Sequence, residues 1–340
     1  MRRIHSVLLS FFIATSISAR KSTDVTVLQW NVWQEGSVVP GGFEAIVDEI
    51  ARLRPDFVTF SEVRNYNNTD FSQRITEALK QRGETYYGFY SYDSGLLSRY
   101  PIEENITVFP ENKDHGSIYK LTTRIGKRPV SVYTAHLDYQ DCAYYDVRGY
   151  DGNTWKPTTP PSDAATVIAL SDRSWRDNAI DIFLNEARHD FAAGHVVIIG
   201  GDFNEPSHQD WTCATAQLYD HRGLVVPWTV TTKLAESGFH DAYRTFFPDV
   251  VKYPGFTYPS ANPLVDISRL TWAPEADERE RIDYIWFKGE GVSVVDAKIF
   301  GPDSSICRSQ VVKDDSSDPF ITPSGVWPTD HKGVWIKLRF

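Results

Sequence analysis

The stretch His195-Val196-Val197-Ile198-Ile199 limits the fold more than any other, because an apolar run turns abruptly into Gly200-Gly201-Asp202. A strand can be apolar on both sides only when both faces are covered, so this one belongs inside a layered α/β structure. Its carboxyl end delivers an aspartate, and carboxyl ends of sheet strands are where α/β proteins assemble sites.

The same arrangement of apolar strand and polar tip recurs. Val25-Thr26-Val27-Leu28 leads into Gln29-Trp30-Asn31, Phe57-Val58-Thr59-Phe60 into Ser61-Glu62, and Val130-Ser131-Val132-Tyr133 into Ala135-His136. Helical spacings alternate with these strands. One is Phe43, Ile46, Val47, Ile50 and Leu53, stopped by Pro55; another is Phe71, Ile75, Ala78 and Leu79, with Gly83 as a cap. A third runs through Trp175, Ala179, Ile182, Phe183 and Ala187. Val334, Ile336, Leu338 and Phe340 alternate with Trp335, Lys337 and Arg339 in a closing strand. The pattern predicts a mixed α/β chain without repeats, read as one domain over residues 24–340. Stretches rich in Pro, Tyr and Trp interrupt it at 139–171, 206–235 and 248–281. Segments that long carry function or a small core of their own.

The first segment stands apart. Arg2 and Arg3 precede Val7-Leu8-Leu9-Ser10-Phe11-Phe12-Ile13-Ala14, followed by small residues up to Ala19. That is the layout of a secretory signal over residues 1–19, and its apolar run is too short to span a bilayer. The expectation is a soluble, secreted or extracytoplasmic mature protein. Loss of Arg2 and Arg3 takes the net charge from -10 to -12. An acidic chain has no general pull toward polynucleotides or anionic lipids, so such partners need a local basic patch. Cys142, Cys213 and Cys307 allow at most one disulfide and fit no zinc motif. Sequons stand at Asn67 and Asn105.

Taken singly, each polar strand tip has an ordinary explanation: an aspartate before a turn caps it, and a lone histidine is hydrogen-bonded. As an ordered series they describe a site. Asn31, Glu62, His136, Asp202 with Asn204, Asp283 within Arg281-Ile282-Asp283-Tyr284-Ile285, and Asp330-His331 each occupy the same place in a local pattern.

These strings resemble the endonuclease/exonuclease/phosphatase superfamily, the deoxyribonuclease I-like fold, in the family's order and over residues 24 to 340. Gly200-Gly201-Asp202-Phe203-Asn204 and Thr329-Asp330-His331 are the most specific markers. The resemblance implies a four-layer α-β-β-α sandwich of two mostly antiparallel sheets with helices outside. It implies a divalent-metal-dependent phosphoester hydrolase using Mg²⁺ or Mn²⁺, with Glu62, Asn31 and Asp330 as metal ligands. His331 then resembles the general base and Asp283 the carboxylate that orients it. Asp202 and Asn204 would position water and a phosphate oxygen, and His136 would hold the phosphate or assist the leaving group. Hydrolysis at phosphorus needs these parts: charge neutralisation, an activated in-line water and a stabilised leaving oxygen. With His331 acting as a neutral base, activity is expected to fall on the acid side of its pKa. Ser98-Arg99 and Asp241 read as structural residues.

The substrate is less constrained. Tyr139, Tyr144, Tyr145, Tyr150 and Trp155, with Arg148 and Lys156, follow His136 and either rim the pocket or pack a cluster of their own. Arg173 and Arg176 either approach a phosphate or are solvated helix charges. Basic runs are only pairs such as Lys127-Arg128, while Glu275-Ala276-Asp277-Glu278 and Asp314-Asp315 are acidic. A small or non-polymeric phosphoester, whether sugar-, nucleotide- or lipid-linked, is the favoured expectation. The alternatives are a secreted Mg-dependent endo- or exonuclease acting on polymeric nucleic acid, a sphingomyelinase-type phosphodiesterase, and an exported binding module on a dead scaffold.

Overall fold

Val196 and Ile198 point into one core while Val197 and Ile199 point into another, and this alternation sets the layering. The computed structural model describes residues 22–110 and 115–340; the expected signal segment 1–19 lies outside them. In chain order the elements are β1 (Asp24–Asn31), α1 (Gly42–Leu53), β2 (Phe57–Val63), α2 (Phe71–Gln81), β3 (Tyr87–Gly88), β4 (Asp93–Ser98), β5 (Glu104–Phe109), β6 (Gly116–Ile125), β7 (Arg128–Leu137), α3 (Ala143–Val147), α4 (Ala164–Ser171), α5 (Arg176–Ala192) and β8 (Val196–Asp202). They continue with α6 (Thr229–Glu236), β9 (His240–Asp241), α7 (Ala242–Phe246), β10 (Asp283–Lys288), β11 (Ser293–Phe300), β12 (Ser304–Cys307), β13 (Gln310–Lys313), β14 (Phe320–Ile321) and β15 (Gly333–Arg339).

A seven-stranded sheet runs β14-β11-β15-β1-β2-β4-β3 and a six-stranded sheet runs β5-β6-β7-β8-β10-β9, with β12 and β13 as a separate hairpin. β1 is parallel to β2, β7 to β8 and β11 to β14; the other neighbours are antiparallel. Val25, Val27, Phe57 and Leu96 meet Leu121, Val132, Ile198 and Ile285 between the sheets. Ile46, Val47, Ile50, Ile75 and Leu79 seat α1 and α2 on the outside of the first sheet. Ala179, Ile180, Phe183, Val230 and Leu234 seat α5 and α6 on the outside of the second. Each fully buried side chain of this kind contributes about 1.5–3 kcal/mol. The result is the expected four-layer sandwich.

Local signals explain the helix ends. α1 stops where Arg54 turns left-handed at φ 51° and its N–H returns to Ile50 O, just ahead of Pro55. Asp70 caps α2 by accepting from Gln73 N. In α5 the buried stripe is Ala179, Ile180, Phe183 and Ala187, whereas Ile182 and Trp175 are exposed. The sequence spacing placed both of those inward; Trp175 in fact precedes the helix.

Two of the long irregular stretches contain α3, α4 and α6, and the first also forms a core. Cys142, Tyr144, Tyr145, Val147 and Tyr150 pack with Trp211, Trp228 and Ala273. Of the two readings of this aromatic loop, the self-packed cluster is the one observed for these residues. Cys142, Cys213 and Cys307 are all free thiols.

Candidate active site

At the carboxyl ends of β1, β2, β7 and β8 the apolar filling between the sheets gives way to a polar seam. Ser61 Oγ donates to Ala135 O and accepts from Asp202 N, both at 3.1 Å. Gln29 Nε2 reaches Ser61 Oγ and Asp283 Oδ1, both at 3.3 Å, and its Oε1 accepts from Thr59 Oγ1 at 2.5 Å. The seam is possible because Gly200 has no Cβ: one built there would collide with Thr59 Oγ1. Gly201 is likewise pressed on the backbone oxygen of Ala135. The Gly-Gly pair therefore lets β8 sit close to both β2 and β7 just before Asp202. Gln29, Thr59 and Ser61 carried no sequence signal beyond their strand positions.

Asp202, Asp283 and His331 offer ligand atoms that all lie within 4.8 Å of one another, and all three residues are buried. His331 Nδ1 is 2.9 Å from Asp283 Oδ2, and its Nε2 is 3.7 Å from Asp202 Oδ2. Tyr258 lies against the imidazole with ring centroids 4.7 Å apart. Asn31 joins Glu62 to this group: its Nδ2 donates to Glu62 Oε1 at 3.1 Å and to Asp202 Oδ2 at 3.0 Å. Its Oδ1 accepts from Trp33 N at 2.9 Å. Asn31 thus presents its amide nitrogen to the two carboxylates.

Glu62 is aimed by its backbone. It is the extra residue of a bulge between β2 and β4, where Ser61 faces Ser94 and Val63 faces Asp93. Its φ is 68°, and Asp93 opposite shares that value, while Asn204 stands at φ 50°. Such conformations cost about 1–3 kcal/mol each and persist where the surroundings enforce them. Glu35 supplies part of that enforcement, accepting from Arg64 N at 2.9 Å, Asn65 N at 2.6 Å and Arg74 Nη1 at 2.9 Å.

His136 brings a partner that sequence reasoning missed. Its Nδ1 is 2.9 Å from Asp93 Oδ1, and Arg64 Nη1 bonds the same oxygen. Asp93 opens β4, two residues before Gly95-Leu96-Leu97, outside any recognisable string. Asn204 sits beyond the tip of β8, its N–H on Asp202 Oδ1 and its Nδ2 on Leu137 O, both at 2.9 Å. Asp202, Asp283, Asn31, Glu62, His136 and His331 are thus brought together, and Asp330 adjoins them through His331 and the charge of Glu62.

The electrostatics follow from crowding carboxylates in a buried place. Burial and the charge of Asp283 push Asp202 up to about 6. Burial, with Glu62 nearby, pushes Asp330 up to about 7 against the pull of His331. Burial opposes a charged imidazole, yet Asp283 and Asp202 outweigh it and raise His331 to about 10. Asp93 outweighs burial in the same way and raises His136 to about 9. Added positive charge beside these carboxylates would offset their pull on the His331 proton. Glu62, Asp202, Asp283 and Asp330 supply hard oxygen donors with a surplus of negative charge, which suits a divalent cation.

Arg176 plays neither of the roles considered for it. Its buried guanidinium donates to the carbonyls of Asp138, Gln140 and Asp141 at 2.7–2.8 Å and lies 3.7 Å from Glu205. Asp241 caps α7 by accepting from Arg244 N and pairs with Arg281.

A sandwich with histidines and carboxylates gathered at its strand ends defines a phosphoric ester hydrolase. The chain belongs to the endonuclease/exonuclease/phosphatase family, whose pattern it matches over residues 28–331. It is 26% identical over 289 residues to an uncharacterised Caenorhabditis elegans protein, F14F9.5, covering 83% of this chain and 84% of that one. Among solved structures it is similar to D. rerio TDP2 complexed with single strand DNA product, at a TM-score of 0.53 and 14% identity over 93% of this chain and 99% of that one. The human nocturnin catalytic domain with bound sulfate anion matches at a TM-score of 0.50 and 15% identity, over 94% and 96% of the two chains. At these identities the structural likeness is one of fold.

Proposed function

We propose that this protein is an exported phosphoesterase, dependent on Mg²⁺ or Mn²⁺, that hydrolyses a small or non-polymeric phosphoester by in-line attack of water. The observation that carries the reading is that two histidines, each backed by a carboxylate at Nδ1, converge on Asp202. Glu62 and Asp330 would hold the metal, with Asp202 beside them. Asp283 and His331 are engaged with each other at 2.9 Å, so we leave them as a proton-handling pair. A bound divalent cation supplies positive charge against the phosphoryl oxygens and the surrounding carboxylates.

His331 takes a proton from the attacking water at Nε2, while Asp283 holds Nδ1 and stabilises the resulting imidazolium. Asn31 fixes Glu62 and Asp202 relative to one another through its two donated bonds. His136, kept protonated by Asp93, offers an N–H to a phosphoryl or leaving oxygen. Asp202 and Asn204 orient water and phosphate at the tip of β8.

The small substrate is supported by how the nearby arginines are spent. Arg64 is bound to Asp93, Arg74 to Glu35, Arg148 to Glu280, and Arg176 to backbone carbonyls. A polyanion draws on several free phosphate contacts. Export is supported by Arg2 and Arg3 ahead of the apolar run Val7 to Ala14.

The test is a substrate panel with added Mg²⁺ or Mn²⁺: phosphomonoesters, a chromogenic phosphodiester, inositol phosphates, sphingomyelin and plasmid DNA. Turnover of small esters well above that of DNA is the expected result. Rapid DNA degradation with little else would replace this reading with the nuclease, and preferential turnover of sphingomyelin with the sphingomyelinase.

A further inference from the structure

A third histidine–carboxylate pair stands next to the site and has no part in the mechanism above. β6 and β7 pair Ser117 with His136 and Gly116 with Leu137, so His115 and Asp138 lie just beyond the paired strands, two residues outward from that Ser117–His136 pair. Asp138 is 1% exposed, and its Oδ2 meets His115 Nδ1 at 2.9 Å. The same oxygen accepts from Trp175 N at 2.9 Å, and Asp138 Oδ1 accepts from Gln140 N at 3.0 Å. One buried carboxylate thereby fixes a histidine ring and the backbone of a tryptophan together.

The two rings are stacked, with centroids 5.6 Å apart and planes 28° from parallel. Trp175 is nevertheless 43% exposed. A core stack hides its rings; this one is pinned from behind and left open in front. The pinning continues one residue further, because Arg176 holds the carbonyls of Asp138, Gln140 and Asp141. The loop leaving β7 and the start of α5 are therefore clamped into one rigid support. Holding an exposed indole in place in this way removes much of the ordering cost of binding a flat group against it.

We infer that His115 and Trp175 form a subsite that receives the leaving-group end of the substrate, and that this end carries a ring with a flat face, a heteroaromatic base or a pyranose. The inference rests on the phosphoesterase reading and takes the leaving oxygen as the one His136 serves; the subsite lies two residues beyond His136, past the end of β7. The indole supplies a stacking surface. Asp138 occupies Nδ1 of His115, so Nε2 is the nitrogen that hydrogen-bonds the ring's substituents. The subsite makes the protein selective among phosphoesters without contributing to the chemical step.

The experiment uses the purified full chain with matched ligands: adenosine 5′-monophosphate and glucose 6-phosphate as ring-bearing esters, and glycerol 3-phosphate as the ringless one. The dinucleotide ApA and glycerophosphoglycerol serve as the corresponding diesters. Calorimetric titrations in EDTA read binding without turnover, and kcat/KM with Mg²⁺ reads catalysis. We expect ring-bearing esters to bind more tightly than ringless ones. We expect Trp175→Ala to lower the ring-bearing to ringless ratio of kcat/KM about tenfold, mostly through KM, and Trp175→Phe to restore most of it. The adenosine and glucose arms distinguish a base from a sugar. Equal losses on both classes, or no preference for a ring in the wild type, would overturn the subsite while leaving the phosphoesterase intact. Ring binding lost in Trp175→Ala, in a protein that hydrolyses none of the esters, would sink the phosphoesterase reading and leave the ring site standing.

Discussion

His136 Nδ1 lies 2.9 Å from Asp93 Oδ1, and Arg64 grips the same carboxylate oxygen. Burial works against the Asp93 charge, but His136 and Arg64 overcome it and hold the carboxyl below its ordinary range. The pair is thus an imidazolium and a carboxylate at neutral pH, placed beside a group of further carboxylates.

The sign of its pH dependence follows. His136 is raised from 6.5 to about 9, so its contribution to stability and to phosphate binding is complete below about 6.5 and is lost as pH rises through about 9. The kcat/KM profile should carry an alkaline limb near that value. Asp93→Asn removes the charge that outweighs burial, so the limb should move to lower pH. Turnover at neutral pH should also drop by about 10–100-fold, the usual cost of losing a residue that orients a site histidine. An unmoved limb would mean that another group titrates there.

His331→Ala and Asp202→Asn remove the groups at the centre of the cluster. Each should lower kcat by about 10²–10⁴-fold, the range for a positioned acid or base. Circular dichroism should show an unchanged fold. Near-normal turnover in either variant would contradict the assignment of these residues.

Gly201→Ala tests the close approach of the strands. The added methyl meets Ala135 O and lies 2.8 Å from the Ala135 Cβ. β8 must move from β7, which should cost about 1–3 kcal/mol in a denaturant titration. Asp202 follows directly, so activity should fall as well. A variant as stable and active as the wild type would show that the strand contact is looser than described.

Arg176→Ala leaves the carbonyls of Asp138, Gln140 and Asp141 and the carboxylate of Glu205 without their buried donor. Removing one partner of a buried charged network costs about 3–5 kcal/mol. A fall in Tm of many degrees is expected; a change in KM with unaltered stability would instead favour a role at the phosphate.

The sequence made the site legible wherever a polar residue closes an apolar strand: Asn31, Glu62, His136 and Asp202 are all found at such tips. It did not reveal Asp93, because nothing local marks a carboxylate that gains its meaning from a strand in the other sheet. Gln29, Thr59 and Ser61 were hidden for the same reason: their partners are 30 to 254 residues away. The phase of α5 was misread at Ile182 because helix periodicity shows a stripe but not which sheet it meets. The aromatic loop was ambiguous since a self-packed cluster and a pocket rim need the same residues. Tyr144 and Tyr145 are buried in the cluster, while Tyr139 stays exposed.

Glu62 and Asp330, with Asp202 beside them, are proposed to hold the divalent cation on which hydrolysis depends. The most direct measurement is turnover of a chromogenic phosphodiester and a phosphomonoester by the purified protein, first with Mg²⁺, then after chelation, then with Mg²⁺ or Mn²⁺ restored. Hydrolysis should disappear with chelator and return with either metal. Undiminished turnover after chelation would contradict that assignment.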